Sequence, residues 1–89
     1  MLDEIVRMAK IIKKRMEKNI PYINDEIRAV IENRNQGVHR IEELLDILLD
    51  YGQLGVGKPE FNKLNSYYAS FNPANAKVYA NYYKELNED

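Results

Sequence analysis

Between residues 2 and 18 the apolar positions Leu2, Ile5, Met8, Ala9, Ile12 and Met16 recur at intervals of three and four, the period of a helix with one apolar face. Asn19 and Ile20 then precede Pro21. A proline lacks an amide donor and disfavours the α conformation before it, so this first helix is expected to end or kink there. Pro21 suits the opening turn of a second helix through about Arg34, burying Ile23, Ile27, Val30 and Ile31. Its stop is expected at Asn35-Gln36-Gly37, with Gly37 as a left-handed cap.

Residues 38 to 51, VHRIEELLDILLDY, spread apolar side chains over more than half of a helical circumference, which predicts the most buried helix of the protein. Pro59 opens a fourth helix through about Ser70. Asn72-Pro73 supplies a cap and a proline start for a fifth through about Glu88. No stretch shows useful strand alternation and no Gly/Ser linker divides the chain. The pattern therefore predicts an all-α protein: a compact bundle of about five short helices around a central hydrophobic one, in a single domain spanning 1–89. Leu64, Tyr67, Tyr68 and Phe71 align with Tyr79, Tyr82, Tyr83 and Leu86 at an offset of 15 residues, which the packing of a helical hairpin explains without a repeat array.

The joint between the third and fourth helices reads GQLGVGKP, residues 52–59, and has the frame of a phosphate-binding loop. Such a loop joins a strand to a helix and needs a Ser or Thr after its lysine to hold magnesium. Here Pro59 follows Lys58, with neither hydroxyl nor amide hydrogen, and the upstream ILLD continues a helical pattern. The segment is expected to be a connector, with Gly52 ending one helix, Leu54 and Val56 tacking it down, and Gly55 and Gly57 permitting positive φ. No nucleotide is expected.

Composition narrows the chemistry. In 89 residues, 45% hydrophobic and 30% charged, with no cysteine, there is material for one modest core but none for a disulfide, a thiolate zinc site or a cysteine nucleophile. The N-terminal apolar residues are interleaved with Lys and Arg, unlike a signal peptide or a membrane span, and a cytoplasmic location without membrane contact is expected. The net charge of −1 conceals sorting: nine Lys/Arg against six Asp/Glu in residues 1–40, and four against eight in 41–89.

Three groups of side chains invite a function. His39, Glu43, Asp46 and Asp50 share the polar side of the third helix, where they could hold a metal, yet the set lacks the second histidine or the paired Glu-x-x-His of known helical sites, and a solvated face accounts for it. Arg7, Lys10, Lys14 and Lys18 form a basic stripe of the kind that tracks nucleic-acid phosphates, flanked by Asp3, Glu4 and Glu17 in a chain of pI 5.8. Ile11 projects among those cations. The last two helices carry Tyr67, Tyr68, Tyr79, Tyr82 and Tyr83, and because neighbouring residues point about 100° apart, two short helices cannot turn both members of each tyrosine pair inward.

Catalytic, metal and cofactor motifs are absent, so no cofactor is expected and the protein is read as a non-catalytic helical module for protein–protein interaction or regulation, self-association to a homodimer included. Its expected contact surface is Ile11, Tyr67, Tyr68, Tyr79, Tyr82 and Tyr83. The alternative is a nucleic-acid-binding regulator that uses the basic first helix.

Overall fold

The computed structural model describes residues 2–87, which form four α-helices: α1 (Leu2–Glu32), α2 (Val38–Gly52), α3 (Lys58–Ala69) and α4 (Pro73–Asn87). No strand occurs among the described residues, in keeping with the all-α expectation. The expected five helices become four because the first two are one.

Continuity through Pro21 has a physical reason. The apolar stripe of α1 keeps its register across the proline, running Met16, Ile20, Ile23, Ile27, Val30 along one face, while Pro21 falls on the opposite, exposed side. A proline within a helix costs about 3 kcal/mol. Ile27 and Val30 are buried, and Ile20, Ile23 and Ile31 pack on the same core. Burial of side chains of this size, at about 1.5–3 kcal/mol each, outweighs that cost.

The end of α1 also differs from expectation. Arg34, not Gly37, takes the left-handed conformation, with φ 50°. The Asn35 amide donates to the Val30 carbonyl at 2.9 Å and the Arg34 amide to Ile31 at 3.1 Å, the paired bonds of a Schellman cap. Gly37, at φ −68° and ψ 98°, is instead the extended residue before α2, and its amide donates to Asn35 Oδ1 at 2.8 Å.

The core lies where α2, α3 and α4 meet the C-terminal half of α1. Ile41, Leu44, Leu45, Leu48 and Leu49 of α2 supply its centre, against Ile27 and Val30 of α1, Phe61, Leu64 and Tyr68 of α3, and Ala76 and Tyr83 of α4. Helix α1 contacts α2 and α3 but not α4. Polar ties fix its line: Arg40 pairs with Glu26, and Asn19 Nδ2 donates to the Tyr51 hydroxyl at 3.1 Å.

The GQLGVGKP segment is the expected connector. Helix α2 runs into it through Gly52, and Gly55 and Gly57 have φ of 75° and 89°. The amides of Gln53, Leu54, Gly55 and Val56 donate to the carbonyls of Asp50, Tyr51 and Gly52, so they turn toward the chain itself and not toward an anion. Val56 is buried. At Gly57 the backbone passes so close to α1 that an added Cβ would lie 3.2 Å from Ile20 Cδ1 and 3.0 Å from Leu48 Cδ2.

Candidate interaction surface

The apolar stripe does not end where the core ends. Leu2, Ile5, Ala9, Ile12 and Met16 continue the line of Ile20, Ile23, Ile27 and Val30 at steps of three and four residues, so one face of α1 is apolar over its whole length. Only its C-terminal half is covered. Ile27 is fully buried, whereas Leu2 is 77% exposed, Ile5 64%, Met8 60%, Val6 49% and Ile12 44%. From Leu2 to Ile12 this face stands outside the core. The other three helices are 15, 12 and 15 residues long, and α2 and α3 pack beside the later turns of α1, so that the earlier turns are left open among the described residues.

The dimensions show the same arm. A helix of 31 residues is about 46 Å long, and the longest extent of the molecule is 47 Å. The radius of gyration is 14.0 Å, where a compact chain of this length would give about 12 Å. The accessible surface is 6329 Å², about 900 Å² more than the surface law for compact monomers gives at this mass. Isolated apolar residues on a surface are ordinary, whereas a contiguous row of them is uncommon on a soluble monomer.

The polar side of the arm is basic. Residues 2–18 hold six Lys/Arg and three Asp/Glu, and all of these side chains are exposed. The ion pairs among the described residues are Arg28–Asp25, His39–Glu43, Arg40–Glu26 and Arg40–Glu43, none of which involves the arm. Arg7, Lys10, Lys14 and Lys18 thus form an open stripe, as the sequence suggests, and Ile11, 47% exposed, stands within it.

The tyrosines divide. Tyr68 and Tyr83 are core residues, and a partner cannot reach them in the folded chain. Tyr67 and Tyr79 are half-buried, and Tyr82 is exposed. The prediction that each adjacent pair splits thus describes the structure, but the buried member is satisfied within the chain. The Tyr68 hydroxyl donates to Glu42 Oε2 at 2.5 Å and accepts from Asn72 and Asn75 Nδ2, both at 3.2 Å. Burial first, and the Glu42 carboxylate second, push its phenol above the ordinary value. Tyr79 donates to Asp46 Oδ1 at 2.9 Å and is raised by burial and then by that carboxylate. Tyr67 donates to the Asn35 carbonyl at 2.7 Å, closing α3 over the end of α1. Phe61 and Tyr83 stack with ring centroids 4.4 Å apart. These tyrosines act as struts with hydrogen-bonded tips. Tyr82, with Val78 and Leu86 at four-residue spacing, leaves a smaller apolar row on α4.

His39 Nε2 lies 2.9 Å from Glu43 Oε1 on the open surface, Asp46 is engaged by Tyr79, and no group of three or more His, Asp or Glu among the described residues is arranged to hold a metal. A shallow groove of about 500 Å³ runs between α3 and α4 over Asn65, Ser66, Ala69, Ala76 and Ala80. Asn65 Nδ2 donates to the Ala76 carbonyl at 2.9 Å, and its Oδ1 is buried without a partner. Lys77, Tyr83 and Lys84 also line it.

The three-four spacing places Leu2, Ile5, Ala9, Ile12 and Met16 on one face and does not say what covers it. The signal for the arm was present: an unbroken three-four spacing through Pro21, too long for three short helices to cover. No described helix is both long and apolar enough to cross a membrane. Comparison with known protein families, curated protein sequences and solved structures finds no match for the chain.

Proposed function

We propose that the protein is a non-catalytic, cytoplasmic interaction module that binds a helix of a protein partner, a second copy included, along the N-terminal arm of α1. The observation that carries this is the change of environment along a single stripe: the same apolar face packs on the core from Ile20 to Val30, while Leu2, Ile5 and Ile12 are exposed. A lone helix of about 15 residues without tertiary contacts is marginal in water. A partner on the apolar face would supply the missing packing. The absence of cysteine supports the intracellular setting.

Hydrogen exchange tests the reading. Amides of residues 2–16 should exchange quickly in dilute protein and become protected as a partner occupies the arm, with Ile5→Asp plus Ile12→Asp abolishing the protection. Exchange in this segment that stays fast at every concentration and with host-cell extract added would refute it. One observation favours a second reading: the arm's cations are exposed and outside every ion pair described above, so the basic stripe is open to nucleic-acid phosphates. Salt-sensitive retention on DNA or RNA is the measurement that would establish that role.

A further inference from the structure

The shape of the arm restricts which helix can lie on it. Starting from the reading that the arm is a protein-binding helix, we infer that its occupant is the same arm of a second copy, running antiparallel, with Ile5 of one chain level with Met16 of the other and Ala9 level with Ile12.

The sequence of the arm fits a coiled-coil seam. Leu2, Ile5, Ala9, Ile12 and Met16 follow strict three-four alternation, the a/d pattern by which two helices interlock. Direction follows from the body. Because the stripe is continuous, the space over it is already filled from Ile20 onward, where the connector at Gly57 approaches and α2 and α3 pack. A parallel second helix meeting Leu2 to Met16 would run straight into that volume. An antiparallel one avoids it, since its N-terminal end stops near Asn19 and its own body lies beyond Leu2.

Side-chain size agrees. In the antiparallel register the small Ala9 faces the larger Ile12 at both central layers, which lets the helices approach closely. Beside the seam, Val6 flanks Lys13 of the second copy and Met8 flanks Arg15, so the aliphatic stems of the cations cover apolar neighbours while their heads reach water. The charges Asp3, Glu4, Arg7, Lys10, Lys14, Glu17 and Lys18 lie away from the seam, and in this register Asp3 is level with Lys18 of the second copy, Glu4 with Glu17 and Arg7 with Lys14, so charge does not choose the direction. The helix dipoles oppose one another.

The chain has no cysteine, so introduced thiols report on geometry without background. A disulfide needs its Cα atoms within about 7 Å. In the proposed register the two Ile5 positions are eleven residues apart along the axis, about 16 Å, and so are the two Met16 positions. Ile5→Cys and Met16→Cys should each resist cross-linking alone under mild oxidation and give disulfide-linked dimer when mixed. Val6→Cys mixed with Lys13→Cys, both at exposed positions outside the core, should do the same. Self-linkage of either Ile5→Cys or Met16→Cys would overturn the antiparallel register while leaving the arm as a self-association surface. A dimer by sedimentation that neither mixture cross-links would place the contact elsewhere, such as the Val78, Tyr82 and Leu86 row, and overturn the proposal. A monomeric protein would overturn it too, leaving the arm only for a different chain.

Discussion

Ile5 and Ile27 offer a controlled comparison, since both lie on the same stripe of the same helix, and one is 64% exposed while the other is fully buried. Ile27→Ala removes a packed side chain from the contact between α1 and the body and should cost about 2–5 kcal/mol. Ile5→Ala removes a side chain that the monomer leaves mostly in water. Alanine is the better helix former by a few tenths of a kcal/mol, so the monomer should change by less than about 0.5 kcal/mol. Association should respond differently. Covering the exposed part of Ile5 contributes about 1 kcal/mol per chain, and a two-fold dimer counts it twice, so Ile5→Ala should raise Kd about thirty-fold. Urea melts of both variants in dilute solution, followed by sedimentation across a concentration series, separate the two effects. A loss above about 2 kcal/mol for Ile5→Ala in dilute solution would show that the arm folds onto its own body, and the account of the exposed stripe would be wrong.

Three further outcomes follow from named contacts. Gly57→Ala should cost about 1–3 kcal/mol by thermal or urea melt, because it places a side chain at positive φ within 3.0 Å of Leu48 and 3.2 Å of Ile20; an unchanged midpoint would mean that the connector is not seated on α1. The raised pKa values of Tyr68 and Tyr79 favour the folded state while both are neutral, so their contribution is fully present below the unfolded tyrosine pKa of about 10 and is lost as pH rises through the folded values. Stability should fall above about pH 10 and fall less steeply in Tyr68→Phe; equal slopes would contradict the assigned burial. Arg7→Glu with Lys14→Glu should leave the fold intact, both side chains being exposed, and should abolish any salt-sensitive binding to DNA or RNA; retention that survives the double change would remove the basic stripe from consideration.

The helical class, the core of α2 and the connector could be read from local signals: the density of Leu and Ile in residues 38–51, the positive-φ glycines at 55 and 57, and the Asn72-Pro73 start, where Asn72 Oδ1 accepts from the Asn75 amide at 3.4 Å. What local signals miss is the outcome of competition between distant parts of the chain. Pro21 is a breaker by propensity, but burial of the stripe on either side of it against α2 and α3 decides the matter. Arg34 closes α1 although Gly37 is the better left-handed residue, because the cap is fixed by the Val30 and Ile31 carbonyls and not by the nearest glycine. The 100° between Tyr67 and Tyr68 says that both cannot turn inward but not which one does; Glu42 on α2, Asn75 on α4 and Asn72 just before α4 supply the partners that let the Tyr68 hydroxyl be buried. The arm escaped for a related reason. Apolar periodicity tells which face of a helix seeks cover, and it does not say whether the same chain provides it.

The central claim is that the N-terminal arm of α1 is a contact surface for a second copy, and sedimentation equilibrium of the unmodified chain and of Ile5→Asp plus Ile12→Asp addresses it most directly. The unmodified protein should sediment at twice the 10.5 kDa of the chain, in a concentration-dependent manner. The double variant should keep its helical circular dichroism outside the arm and sediment as a monomer. A double variant that dimerises as tightly as the unmodified protein, or an unmodified protein that stays monomeric at high concentration, would contradict the claim.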